Sequence, residues 1–517
     1  MREHRRHAGR WTVSLALATS LAFSAVSPVL ADVNTVNDGP NIKGGIYDST
    51  PDGVTTFINS AHTGLHLKAG DVVTGREVDS NTLLPTGNGG NVLIDASGQV
   101  VRLDGDINVS GLFGGHVNIN AGALYQNGQI FANGSQGGGL VQMNVASMTM
   151  GPNAHIDARG LGGNGGVVGI NATGTVTIPQ GAVIDSSGSV IGTYNTNVIQ
   201  VHGGLVNLDG ILQAKGLNPG DNGGKVAIYA TDSLKIGSTG QVIANGADGS
   251  SGFNPGNGGN GGMVLVSANK HLDNDGLIAA NGGNGGTNPT TEVGPVSTTV
   301  DGAGNTVQQQ VSNGQNGGNG GNGGQVEVYF KDQITNNGAI EVKGGNGGDG
   351  QVAFAGENYV HQIANGGNGG NGGDGGFVKF FGTPSQAVID HVNFQGGEGG
   401  HGATANVQSA CGCATPGVSG ACGKPGGYSV TPYSPPPTTP PVTPLYPPYP
   451  REYTRLGDTL PGSTTQVLSY NRSIFLARAP LPVIQKKVVP PPPPVVIPPK
   501  KVTPKPAPKR VPVRGYW

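Results

Sequence analysis

The sequence predicts an all-β chain: a right-handed parallel β-helix, or solenoid, with Gly-rich corner loops, followed by a disordered Pro-rich tail. Three observations lead there. One sentence recurs about ten times across residues 92–382: a short alternating strand, a turn, a second alternating strand closing on Ala-x-Gly, and a glycine tract. Apolar residues within each strand repeat with a period of two, which gathers them on one face. The recurrence has a fixed length: Gly90, Gly115, Gly139 and Gly166 follow at 25, 24 and 27 residues, and Gly324, Gly350 and Gly376 at 26. That length fits one turn of two or three strands. One turn offers about five apolar side chains at ~1.5–3 kcal/mol each, against ~1–2 kcal/mol of backbone entropy per ordered residue, so only stacked turns are stable.

Residues 1–31 read as a signal peptide. Arg2, Arg5, Arg6 and Arg10 precede an apolar run, and Val29-Leu30-Ala31 before Asp32 has the small-residue form of a cleavage site. Residues 32–90 are expected to form an N-terminal cap, with the alternation in 54–73 shielding the open edge of the stack.

Residues 91–402 carry the repeat. Val92, Ile94 and Ala96 return as Val117, Ile119 and Ala121, as Val168, Ile170 and Ala172, and as Val226, Ile228 and Ala230. A second inward column runs through Ile107, Ile130, Ile156, Leu212 and Ile340. The glycine tracts read as corner loops, although GGNGGNGG also has the three-residue period of extended glycine helices that bundle. The long segment 287–313 is expected to leave the stack and return to the same place, so that it can be deleted.

Residues 403–427 form a Cys/Gly-rich terminal segment. Cys411, Cys413 and Cys422 are an odd set in an exported chain, which predicts one disulfide and one free or intermolecular thiol; a zinc site would need His401 as its fourth ligand. Residues 428–517 are Pro-rich and extended, interrupted by one patterned piece, 464–479. The stretch 485–517 holds eight Lys or Arg and no Asp or Glu, and ends on Gly515-Tyr516-Trp517, a composition suited to an anionic envelope polymer or to a solvated spacer.

Composition narrows the function. With 12% charged residues and a net charge of −2, the chain has no basic nucleic-acid footprint, and no nucleic acid is expected as partner. A polysaccharide lyase or hydrolase on this scaffold needs converging carboxylates, or Asp-bound calcium with a base. The outward positions of the second strand read Asn108, Phe131, Asp157, Asp185, Gln213, Ile243, Ala279 and Glu341. Asp157 and Asp185 on adjacent turns beside Arg159 are the best acid/base candidates, and a solvated polar ladder is the simpler reading. Asp104 and Asp106 read as ordinary turn residues. Asp349 and Asp374 approach a calcium nonapeptide but lack its aliphatic residue and its tandem array. His116, His155, His202, His271 and His391 form no column and read as surface residues. No catalytic, metal or cofactor site is assigned.

The segments GNGGNVLIDA (87–96), IDARGLGGNGGVVGINA (156–172) and VIANGADGSSG (242–252) resemble the filamentous haemagglutinin-like large exoproteins and adhesins over roughly residues 40–400. The resemblance implies a surface or extracellular-matrix β-helix protein that binds a cell-surface or matrix glycan or protein without catalysis. It also implies an outer-membrane transporter as export partner, although Asp38-Gly-Pro-Asn41 is at best a remnant of the family's secretion motif. A carbohydrate-active β-helix enzyme and a self-associating structural envelope protein are the two alternatives.

Overall fold

The computed structural model describes residues 46–47, 55–59, 64–74, 76–78, 85–189, 197–356, 361–408 and 413–437. The expected signal peptide, Asp38 to Asn41, Cys411, the patterned piece 464–479 and the basic end lie outside these residues.

The fold is all-β and built on parallel sheets. The path of the larger, 15-stranded sheet passes through Thr55–Asn59, Asn91–Leu103, His116–Gln126, Leu140–Met150, Val167–Ala172, Val198–Leu208, Lys225–Ile236, Met263–Ala268, Gln325–Phe330, Phe377–Phe381 and Gly427–Thr431. An 11-stranded sheet runs from Ile46–Tyr47 and Val72–Thr74 through Asp106–Asn108, Gln129–Phe131 and His155–Asp157 to Ala339–Glu341 and Val392–Asn393. The chain visits the two sheets alternately, and each strand pairs in parallel with its counterpart one repeat later.

The register is the one the apolar columns predict. Val117, Ile119 and Ala121 pair with Val92, Ile94 and Ala96, and Ile130 pairs with both Ile107 and Ile156. These columns meet in one continuous core in which Val92, Val117, Ile119, Ile156, Ile170 and Ile228 are fully buried. The ladder also extends past 91–402 at both ends. Thr55–Asn59 pairs with the strand at 91, and Gly427–Thr431 pairs with Phe377–Phe381. Residues 403–408 and 413–426 therefore continue the repeat, and 427–431 form a strand.

The corner-loop reading of the glycine tracts is overturned. From residue 244 onward the tracts run outward and back in two facing layers: 244–252, 280–288, 342–351 and 394–403 in one, and 256–262, 314–324, 366–376 and 417–426 in the other. Each Gly-Gly-x triplet spends its three N–H groups in a fixed way. The first glycine donates within its own layer, as Gly317 does to Asn368 and Gly320 to Asn371. The second donates across to the other layer, as Gly318 does to Gly286 and Gly321 to Gly283. The third N–H faces outward and is received by the side chain of the x residue one row earlier, as Asn371 is by Asn319 Oδ1.

Glycine is required here for its missing Cβ. A Cβ on Gly320 would overlap the carbonyl oxygen of Gly345, and one on Gly321 that of Gly259. Neither residue has a positive φ, so freedom to take left-handed backbone is not what selects glycine. The tracts keep the three-residue period of a polyproline-II-type helix, packed side by side.

The last segment breaks the rule where the rule lapses. Gly417, Gly420, Gly423 and Gly426 keep the second position, but the first is taken by Pro416, Ser419, Cys422 and Pro425, all exposed. Among the described residues no further tract follows to accept their N–H groups or to collide with their side chains. Proline removes two of the four donors that would otherwise stand unpaired at the edge.

Segment 287–313 is also more than an excursion. Glu292–Val293 pairs with Ala353–Ala355, and Thr306–Asn313 with His361–Asn365, which in turn pairs with Cys413–Thr415. These short sheets bury Ala353, Ala355 and Ala364 at the far end of the glycine layers. Only the antiparallel hairpin of Val296–Val300 with the start of Thr306–Asn313 projects from them.

Candidate binding surface

The second strand stacks its outward residues as the sequence predicts: Phe131, Asp157, Asp185 and Gln213 lie in one register column. Asp157 and Asp185 do meet beside Arg159. They are not solvated, however, being only 2% and 5% exposed. Arg159 grips Asp157 in bidentate fashion, Nε to Oδ1 at 3.0 Å and Nη2 to Oδ2 at 2.8 Å, while Asn133 donates to Oδ2 at 2.8 Å. Asp185 receives Gln213 at 2.6 Å and the Ser187 N–H at 2.8 Å, with Arg159 Nε at 3.9 Å. Burial works to raise the Asp157 carboxyl, but the hydrogen bonds from Arg159 and Asn133 outweigh it and hold the group below its ordinary value. Each carboxylate oxygen is already committed to a donor, which is the pattern of a charge cluster tying two rows together.

Asp104, read as an ordinary turn residue, is a hub. It accepts from Arg102 Nε at 2.6 Å and Asn127 at 2.5 Å, and meets His66 Nε2 at 2.8 Å. Burial opposes ionisation, yet these hydrogen bonds hold its carboxyl at about 2. Three rows converge on it. Separations of 38 and 23 residues carry no local signal of such a meeting.

The histidines form no column, but two of them are not ordinary surface residues. The Nε2 atoms of His116 and His155 are buried without a hydrogen-bond partner among the described residues, and burial brings His116 down to about 4. His202 stacks on Tyr229 with ring centroids 4.4 Å apart. Farther along the same outer face Tyr329 stacks on Phe381 at 4.1 Å, and Tyr229, Leu265 and Tyr329 make a small apolar cluster of their own.

Among the described residues no three His, Cys, Asp or Glu side chains converge on a point where a metal would sit. Asp349 and Asp374 serve as x residues of the glycine layers, accepting the N–H groups of His401 and Lys424 at 2.7 Å. Cys413 and Cys422 are exposed free thiols, so neither takes part in the one disulfide expected among the three cysteines; Cys411 lies outside the described residues.

The most extensive repeated surface belongs to the glycine layers. On the layer formed by 256–262, 314–324, 366–376 and 417–426, the outward x positions are Asn257 and Asn260, then Asn316, Asn319 and Asn322, then Asn368, Asn371 and Asp374, and in the last row Val418, Ala421 and Lys424. All are exposed. The opposite layer mixes charges at the same places, with Asp248, Lys343, Asp349, Glu398 and His401 beside Asn284 and Asn346. Where the amide-rich layer meets the large sheet, an open groove of ≈ 510 Å³ runs across four rows over Gly261, Gly323, Gly375 and Gly426, with Gln325 and Phe377 on its far side. Phe377 is 39% exposed.

The repeat announced the core but not this surface. Its signal was the asparagine at every third residue, which a loop reading treats as solubilising filler. Comparison of the chain with protein-family models, with curated proteins and with solved structures yields no match.

Proposed function

We propose that this chain is an exported surface or extracellular-matrix protein, adhesin-like, that acts by presenting a repetitive face and not by turning over a substrate. In this reading the alternating parallel strands are successive turns of a β-helix, and the glycine layers are a flange carried on it. The signal-like residues 1–31 supply export, and the basic Pro-rich end supplies a tether to an anionic envelope polymer.

The observation that carries the reading is the return of one residue type at one place in successive rows: Asn257, Asn319 and Asn371 in one column, Asn260 and Asn322 in the next. A repeated row suits a repeated partner. The Asp157, Asp185 and Arg159 cluster supports the absence of catalysis, since its oxygens are engaged internally. The edge formed by Pro416, Ser419, Cys422 and Pro425 argues against growth by end-to-end stacking of the glycine layers, and so against the self-associating alternative.

The test is retention of the purified mature chain, residues 32–517, on immobilised cell-surface and matrix glycans and proteins. Saturable retention on at least one of them without chemical change of the ligand is the expected result. No retention on any, or release of reducing ends or unsaturated products, would overturn the reading.

A further inference from the structure

Resting on that reading, the geometry points to a specific ligand site: the amide-rich glycine layer together with the Phe377 groove binds an uncharged, extended polysaccharide.

The hydrogen-bond accounting of the layer selects the chemistry. Asn257, Asn260, Asn316, Asn319, Asn322, Asn368 and Asn371 each use Oδ1 to accept the backbone N–H of the next row, at 2.8–2.9 Å. Their Nδ2 groups have no protein partner among the described residues. The internal demand on each of these side chains is a single acceptor, and a carboxylate meets it equally well, as Asp374 does for Lys424 and Asp349 for His401. Asparagine in place of aspartate therefore adds something the fold does not need: an outward pair of N–H donors and no charge.

Over the rows 256–262, 314–324 and 366–376 the result is an array of seven neutral donor groups, bordered at one corner by Asp374 and Lys424, with fixed spacing, ~9 Å along a tract, three residues at ~3.1 Å each, and ~4.8 Å between rows. Its ligand must offer acceptor oxygens at regular intervals over a long, flat shape and carry no charge that would reward lysine or arginine. Polysaccharide hydroxyl, ring and acetamido oxygens meet that description; nucleic acid and anionic polymers do not.

The groove supplies an independent second element. Its floor of glycine pairs lets a ligand approach the backbone, and its far wall carries an exposed aromatic ring. Phe377 pairs in register with Gln325 on one side and with Gly427 on the other, where there is no side chain to cover the ring. An apolar ring beside a row of amides offers a sugar both of its surfaces a partner, the C–H face on the ring and the hydroxyl edge on the amides.

The substitution that tests this leaves the fold's own bond in place. Asn319→Asp retains an oxygen for the Asn371 N–H but replaces the outward donors with a carboxylate, and Phe377→Ala removes the platform. Asn284→Asp makes the same chemical change on the opposite layer. The mature full-length chain is incubated at moderate salt with insoluble cellulose, with chitin and with immobilised polygalacturonate, and the free protein is measured. Expected are binding to cellulose or chitin, at least a tenfold weaker affinity for Asn319→Asp and for Phe377→Ala with unchanged melting temperature, and no change for Asn284→Asp. If the parent chain binds a neutral polysaccharide and both variants bind it equally well, this site is wrong while the adhesin reading stands. Binding confined to polygalacturonate, or to none of the three, also overturns the site, and the retention assay on other surface ligands then decides the adhesin reading separately.

Discussion

Asn319 sits one row before Asn371, and its Oδ1 accepts the Asn371 backbone N–H at 2.8 Å. Repeated through the layer, this bond gives the outward amides of Asn319, Asn322, Asn368, Asn371, Asp374, Val418, Ala421 and Lys424 an acceptor without any strand pairing. Asn319→Ala removes the acceptor and leaves the N–H to water, a loss of ~0.5–1.5 kcal/mol. Asn319→Asp keeps an acceptor oxygen and should leave the melting temperature unchanged. Thermal denaturation of the two variants checks the order, and equal destabilisation would show that the bond contributes nothing.

Gly372 and Cys422 occupy equivalent positions in consecutive tracts, the last interior one and the edge. A Cβ on Gly372 would overlap the Gly397 carbonyl oxygen. Gly372→Ala is expected to destabilise by ~1–3 kcal/mol or more through overpacking, whereas Cys422→Ala, on an exposed residue, should be silent. Chemical denaturation distinguishes the two, and a silent Gly372→Ala would contradict the layered packing.

Ile170 is fully buried, while its neighbour Asn171 faces outward and donates to Asn144 at 3.1 Å. Ile170→Asp places a carboxylate without a partner in the core and should cost more than ~4 kcal/mol. Asn171→Asp loses one hydrogen bond, at ~1 kcal/mol. Equal melting temperatures would refute the register.

Acidification should weaken the fold in two separate windows. His116, brought from 6.5 down to about 4 by burial, is neutral in the folded chain, so the stability it contributes is complete above 6.5 and is lost as pH falls toward about 4. Asp104, lowered from 3.8 to about 2, contributes above 3.8 and loses its share as pH falls to about 2. Melting temperature measured between pH 7 and pH 2 should show both declines. His116→Gln should flatten the upper one and leave the lower.

The segment 287–313 yields a divided expectation. Removing the tip between Val300 and Thr306 and closing the hairpin should leave the melting temperature within a few degrees, because that tip is exposed. Removing all of 287–313 deletes the strand that pairs with His361–Asn365 and should unfold the short sheets. Protease sensitivity at 361–365 reports the difference.

The core was legible because its signal is local. Val92, Ile94 and Ala96 alternate within a few residues, and their recurrence set the register before any contact was known. The same logic placed Asp157 above Phe131 and below Asp185. What escaped were partnerships between residues far apart in sequence: the Asp104 hub, the burial of the Asp157 pair and the pairing of the 287–313 strands. The glycine layers escaped for a different reason. Their three-residue period was visible in GGNGGNGG, but glycine is read by habit as conformational freedom, whereas Gly320 and Gly321 are chosen for the space a side chain would take.

The glycine layers give the molecule a step size. A tract that gains or loses a whole Gly-Gly-x triplet moves its tip by ~9 Å and leaves every remaining donor, acceptor and outward asparagine in phase. A gain or loss of one residue instead drives an asparagine into the packed interior along the rest of the tract. Natural variants of this protein should therefore differ in tract length by multiples of three, a counting rule that resembles a reading frame written in protein.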